Sequence, residues 1–173
     1  MYFFTADEHY GHYNVIKYNS RPWTSTTEMT EALIGNHNSK VGPKDVTIHC
    51  GDFCWSRKYK DAQDIIRRLS GSHVFLRGSH DSWMRKSGKF YHDRWHKTIN
   101  GQHVVADHYA HRVWPKSHYG SWMVYGHSHG NLESFGKRLD VGVDAQGYYP
   151  VSFDELSLMM SKLQDNFNLI KSI

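Results

Sequence analysis

The sequence predicts an α/β fold, a layered sandwich of helices and mixed β-sheets. Three observations carry this. Strand-like and helix-like segments alternate through the first half of the chain, strand-like segments cluster in the second half, and no repeat, low-complexity tract or Pro/Gly/Ser linker interrupts the 173 residues. That length suits a single domain over residues 1–173.

The elements follow in order. Tyr2 to Ala6 is a short apolar run that stops at Asp7, the pattern of a buried strand. Ser25-Thr26-Thr27-Glu28 fits a capping box, and Met29, Ala32, Leu33 and Asn36 behind it repeat as one helix face. Asp45 to Cys50 reads as a second strand ending at Gly51-Asp52. Ala62, Ile65, Ile66 and Leu69 mark another amphipathic helix, closed by Gly71. His73 to Arg77 is the next strand, stopping at Gly78. Lys97 to Ile99, Asn100-Gly101 and His103 to Ala106 form a hairpin signal, because Asn-Gly suits a type I′ turn. Ser121 to Tyr125 and Arg138 to Val143 read as two more strands, and Asp154 to Leu163 as a last helix with Asp154 as its cap.

Composition excludes several classes. Lys and Arg total 21 against 17 Asp and Glu, a formal charge of +4 that does not by itself argue for nucleic acid. Two cysteines, Cys50 and Cys54, exclude a disulfide scaffold and a Cys-rich zinc module, and read as packing residues. The N-terminal apolar run has no basic flank, and no stretch approaches the ~18 apolar residues of a membrane span, so a soluble cytoplasmic protein is expected. The excess is in histidine, with fourteen.

Those histidines and the carboxylates fall where strands end. The first strand delivers Asp7-Glu8-His9, the second Gly51-Asp52, the third Gly78-Ser79-His80-Asp81, the hairpin Asp107-His108, and the following strand Gly126-His127-Ser128-His129. A sheet is rigid and the loop beyond it leaves a side chain free to be aimed, so strand ends suit metal ligands and acid–base groups. Mixed carboxylate and imidazole donors suit Mn, Fe, Zn or Ni better than Ca or Mg.

Asp7-x-His9, Gly51-Asp52, Gly78-x-His80-Asp81, His108 and Gly126-His127-x-His129 resemble, in that order, the signature of the calcineurin-like metallophosphoesterases. The resemblance spans about residues 2–156, and Asp7-Glu8-His9-Tyr10-Gly11-His12 and Arg21-Pro22 are similar to small bacterial and phage-type members. It implies a four-layer α/β/β/α sandwich and a phosphoesterase, with phosphodiesters of nucleotide type favoured as substrates. It also implies two divalent transition-metal ions, manganese first, then iron, zinc or nickel. Asp7, His9 and His129 would hold one ion; His108, His127 and position 79 the other; Asp52 both. A hydroxide bridging the ions would attack phosphorus, with His80 as the general acid. Position 79 departs from the pattern: the family usually has Asn, this chain has Ser79, and a hydroxyl is a shorter, weaker donor to an ion. A weaker second site is expected. His12 and Arg77, with Arg85, are candidates to touch phosphate, Asp81 to orient His80 or cap a following helix, and Asp144 to support a ligand.

Other motifs in the chain compete with this reading. Gly126-His127-Ser128-His129-Gly130 also fits the G-x-S-x-G elbow of serine hydrolases, but no histidine follows to act as base. His92 and His96 have zincin spacing without a third ligand. His49 reads as a core histidine. Trp83, Trp95, Trp114, Trp122, Tyr109 and Tyr119 among basic residues are candidate stacking platforms for single-stranded nucleic acid, or core. Loops Tyr10 to Thr26, Cys54 to Lys60, Ser82 to Trp95 and Tyr109 to Gly120 are left to set specificity. A phosphomonoesterase, a nucleotide pyrophosphohydrolase and a non-catalytic metal-bound scaffold for protein or nucleic acid are the rival functions.

Overall fold

A computed structural model describes residues 1–86 and 91–170. Part of the Ser82 to Trp95 loop, 87–90, and the tail 171–173 lie outside the described residues. The first half contains β1 (Tyr2–Thr5), α1 (Tyr13–Tyr18), α2 (Thr26–Lys40), β2 (Val46–His49), α3 (Tyr59–Ile66) and β3 (Ser72–Phe75). The second half contains β4 (Arg94–Ile99), β5 (Gln102–Asp107), β6 (Trp122–Tyr125), β7 (Arg138–Asp140), β8 (Val151–Ser152) and α4 (Phe153–Ser161). Short 3-10 turns occupy Ser82–Lys86 and Ser117–Tyr119.

These strands build two mixed four-stranded sheets, ordered β3-β2-β1-β8 and β4-β5-β6-β7. In the first, β1, β2 and β3 are parallel and β8 is antiparallel to β1. In the second, β5, β6 and β7 are parallel and β4 forms the antiparallel hairpin with β5. The hairpin turn is the one expected: Asn100 and Gly101 both have positive φ, 47° and 84°, as a type I′ turn requires.

Side-chain alternation fixes which faces meet. Phe4, Ala6 and Ile48 from the first sheet and Val104, Ala106 and Val124 from the second share one buried cluster, which Phe153, Leu156 and Met160 of α4 extend. The opposite face of the first sheet is covered by a cluster including Val15, Ile16, Met29, Leu33, Ala62 and Leu69 from the helical segments. The opposite face of the second sheet, Val105, Met123 and Tyr125, packs under Trp114. Among the described residues, the fourth layer, expected as helix, is loop carrying Trp114 and the Ser117–Tyr119 turn. One large indole supplies apolar cover that would otherwise take a helix face.

Other elements also differ from expectation. α1 has six residues and no side-chain cap; its formation rests on burying Val15 and Ile16, because so short a helix is marginal alone. β8 is two residues long, below the reach of any periodicity argument. The cap of α4 is Ser152, two residues before Asp154, with a complete capping box to Glu155. At α2 Ser25 accepts from the Glu28 amide, but the Glu28 carboxylate reaches back to Thr24. β4 begins at Arg94, so His92 and His96 do not share a helix, and the zincin reading fails.

The two sheets are linked where β3 ends near the start of β4, through the Leu76–His92 bridge, and again beside the strand ends of β1 and β7. Ala6, just past β1, pairs with Gly142, just past β7, and Val143 donates to the Ala6 carbonyl at 2.9 Å. The carboxyl ends of both parallel sets thus open at the same edge, the usual location of a ligand site in α/β sheets.

Candidate metal centre

Five loops leave the carboxyl ends of β1, β2, β3, β5 and β6 at that edge, and they carry the residues singled out above. Asp7, His9 and His129 present ligand atoms all within 4.8 Å of one another; so do Asp52, His108 and His127. The two clusters adjoin, since Asp52 Oδ2 lies 3.6 Å from both His9 Nε2 and His108 Nε2. Ser79 Oγ donates to Asp52 Oδ2 at 3.2 Å, and His80 Nε2 lies 3.8 Å from the same oxygen.

The backbone concentrates strain here. Asp7, His9, Asp52, His127 and His129 all have φ between 47° and 68°, a region that costs a non-glycine residue about 1–2 kcal/mol. Such conformations persist where surrounding contacts over-determine them, and they gather at functional sites. Here the Asp7 amide donates to the Gly51 carbonyl (3.0 Å) and the His9 amide to the Asp52 carbonyl (2.9 Å). The His127 amide donates to Asp7 Oδ2 and the His80 amide to Asp52 Oδ1, both at 2.8 Å. Glycine is required at the close approaches. A Cβ on Gly78 would stand 2.1 Å from Asp52 Oδ1, and one on Gly126 would stand 2.7 Å from Asp7 Oδ2.

The donor set fits cations. Asp7 Oδ1, His9 Nε2 and His108 Nε2 are buried without a hydrogen-bond partner among the described residues, an arrangement that is costly unless something positive satisfies it. Burial, with Asp52 and Asp140 nearby, pushes the Asp7 carboxyl well above its ordinary value. Burial and the Arg21 charge pull His9 down to about 2, so its imidazole is neutral, the form that binds metal. His108 donates through Nδ1 to the Cys50 carbonyl at 3.0 Å, leaving the Nε2 lone pair free. His129 Nδ1 lies 2.6 Å from Asp144 Oδ2 and is oriented in the same way.

Supporting residues surround these groups: Asp144 is among the sequence candidates, whereas the roles of Arg21 and Asp140 were not read from the sequence. Asp144 grips Arg21 through two bonds of 2.8 and 2.7 Å. Burial raises its carboxyl, but bonds from His129 and Arg21 outweigh this and hold it below the ordinary value. Arg21, 4% exposed, also donates to the Asp7 and Glu8 carbonyls at 2.7 and 2.9 Å. It ties the first ligand loop to Asp144 and His129. A lone arginine in a loop gives no sequence signal of this. Asp81 has a different duty from either one expected. Its carboxylate accepts the amides of Asp52, Phe53, Cys54 and Gly78 and the Trp83 indole N–H. It fixes the Asp52 loop. Asp140 does the same for the 127–130 loop, accepting from Ser128 Oγ and Gly130 N, so the Ser128 hydroxyl is committed away from any elbow role.

The remaining candidates divide. His12 is at the site, its ring 5.3 Å from that of His9 and stacked on Trp55 at 4.0 Å. Arg77 is engaged elsewhere, paired with Asp93 at 3.1 Å and set over Tyr91; with Ser79 and Arg85 it lines a cleft of about 460 Å³. His49 is a core histidine, 2.6 Å from Glu8. Trp83 and Trp114 are buried, while Trp95 and Trp122 pack against the inter-sheet core. Tyr109 and Tyr119 are exposed. Cys50 and Cys54 are free and buried. No helix among the described residues is long and apolar enough to cross a membrane.

Comparison with known proteins places this architecture. No protein-family model matches the chain. The uncharacterized protein MJ1445 of Methanocaldococcus jannaschii is 31% identical over 165 residues, covering 91% of this chain and 89% of its own. The crystal structure of AQ665, a protein of unknown function from Aquifex aeolicus, superposes with a TM-score of 0.71 over 92% of this chain and 98% of its own, at 20% identity. The two share a fold. A predicted phosphoesterase from Streptococcus pneumoniae TIGR4 reaches a TM-score of only 0.41 at 14% identity, over 82% of this chain and 70% of its own, too distant to carry an argument.

Proposed function

The chain belongs to the family of protein MJ1445 from Methanocaldococcus jannaschii, and for this member we propose metal-dependent hydrolysis of phosphoesters, nucleotide-type phosphodiesters first. The observation that carries the reading is the pair of adjoining Asp/His clusters around the shared Asp52 carboxylate. Asp7, His9 and His129 would hold one divalent ion and Asp52, His108 and His127 the other, with Ser79 beside Asp52 and Asp52 reaching both. The chemistry such a pair supplies when bound is activation of water and neutralisation of phosphoryl charge.

The chain's own residues do the rest. Asp7 and Asp52 place carboxyl oxygens at a buried edge, where attraction to a cation is strongest. His108 and His129 have their Nδ1 sides fixed by Cys50 and Asp144, so their ligating nitrogens are aimed before any ligand arrives. His80, partly exposed beside Asp52, holds a proton on Nε2 for the leaving oxygen as the P–O bond breaks and its electron pair moves to that oxygen. His12 stands beside it to meet the substrate. Manganese is the ion proposed for this mixed donor set, with iron, zinc and nickel as competitors.

The test is turnover of bis-p-nitrophenyl phosphate against p-nitrophenyl phosphate, with added Mn²⁺ and metal analysis of the same sample. Faster diester turnover supports the reading. Faster monoester turnover moves the chain to the phosphomonoesterases. Two bound ions with neither ester hydrolysed would make it a metal-bound scaffold.

A further inference from the structure

Trp55, on the Cys54 to Lys60 loop, stands at the site. It is 47% exposed, its ring 4.7 Å from that of His80, and His12 lies parallel to it at 4.0 Å and 7°. It lines two clefts. One, of about 410 Å³, includes His9, His12, His80 and His129. The other, of about 340 Å³, is lined by Trp55, Ser56, Arg57, Ser79, His80 and Ser82.

The platform is fixed rather than a loose loop residue. The Trp55 amide donates to the Tyr10 carbonyl at 2.9 Å, and the two preceding amides are held by Asp81. Ser82 Oγ donates to the Ser56 carbonyl at 3.1 Å, and Ser56 Oγ donates to Asp61 at 2.6 Å. With its backbone held and one face against His12, an exposed indole binds a flat ring at little conformational cost.

We propose that the Trp55–Arg57 cleft is the leaving-group subsite and that it takes a nucleotide, its base against Trp55 and its phosphate against Arg57. This rests on the phosphoesterase reading above: His80 would donate the proton to the leaving oxygen, and of the two clefts His80 lines, the Arg57 one contains none of Asp7, His9 and His129. The cleft bordering His80 on the Arg57 side offers an aromatic surface and an exposed guanidinium. A glycerol leaving group uses neither. Base–aromatic stacking is sequence-tolerant, so preference for nucleotides over other alcohols is expected without preference among bases.

The test uses the full, metal-loaded chain. Adenosine monophosphate and glycerol 3-phosphate are titrated by calorimetry, and kcat/KM is measured on the doubly end-phosphorylated dinucleotide pApAp, whose leaving group keeps a phosphate for Arg57 whichever P–O bond breaks, and on glycerophosphoglycerol. Trp55→Leu should weaken adenosine monophosphate binding about 10- to 100-fold and lower the nucleotide-to-glycerol ratio of kcat/KM by a similar factor. Trp55→Phe should restore most of both. Arg57→Gln should weaken adenosine monophosphate but not adenosine. Equal losses on both diesters, or unchanged adenosine monophosphate binding in Trp55→Leu, would overturn the subsite. If the wild-type chain hydrolyses neither diester, the phosphoesterase reading falls, while the calorimetry still decides whether the cleft holds a nucleotide.

Discussion

His80 and Ser79 sit side by side on one loop and are predicted to fail in different ways. His80 is close to Asp52 yet partly exposed, as a group that meets substrate must be. His80→Ala should keep both metals and lose about 10²- to 10⁴-fold in turnover on diesters with poor leaving groups; unchanged turnover on a natural-type diester would refute its role as acid. Ser79 spends its hydroxyl on Asp52. Asparagine there would offer a carbonyl oxygen, so Ser79→Asn should tighten the second metal site in a calorimetric titration. Asp144 holds Nδ1 of His129 and clamps Arg21. Asp144→Asn should weaken metal binding about 10- to 100-fold, measured as the Mn²⁺ concentration needed for half-maximal activity.

Among elements, the ligand loops have a different stabilising logic from the helices. Asp81 and Asp140 each gather several amides into one carboxylate, which replaces the ladder that the strands have just ended. Of the helices, α2 and α4 carry side-chain caps, from Ser25 and Ser152. Ser152→Ala removes the Ser152–Glu155 capping box of α4 and should cost about 1 kcal/mol in denaturant unfolding without changing metal binding, because α4 packs into the inter-sheet core away from the ligand loops. At this scale sequence reasoning reads well where the signal is local. The Asn100-Gly101 turn, the Ser25 cap and the strand ends were all legible from neighbours in the chain. α1 and β8 were not, since each is too short to show a period and exists because tertiary packing buries it.

At the level of the whole molecule, acid sensitivity follows from buried histidines behind the site. His37, His49 and His73 have rings 5.2 to 6.2 Å apart. Burial lowers them from 6.5 to about 4, 3 and 3. Burial also raises Glu8, bonded to His49, from 4.5 to about 8. Between pH 4.5 and 6.5 the unfolded chain binds protons on the three histidines that the folded chain refuses, while folded Glu8 keeps one proton that the unfolded chain sheds. The unfolded state binds more protons on balance, so stability falls as pH drops through this window. Thermal unfolding of the metal-free chain should show Tm decreasing from pH 6.5 to 4.5, with a shallower slope in His73→Gln. A Tm that rises on acidification would contradict it.

The sequence by itself determined the chemistry available: which carboxylates and imidazoles stand at strand ends, in what order, and with glycines beside them. Those facts are local, because a strand end and a sharp turn are specified by adjacent residues. The tertiary structure alone decided which of them meet. Joining the sheets at Ala6 and Gly142 brings His129 to Asp7 across more than 120 positions of chain. It also sets Arg21 under the first ligand loop, moves Asp81 from His80 to the Asp52 backbone, and leaves Trp55 exposed while other tryptophans are covered. Contacts between distant segments depend on the packing of whole layers, and side-chain type carries no record of which distant partner it will find.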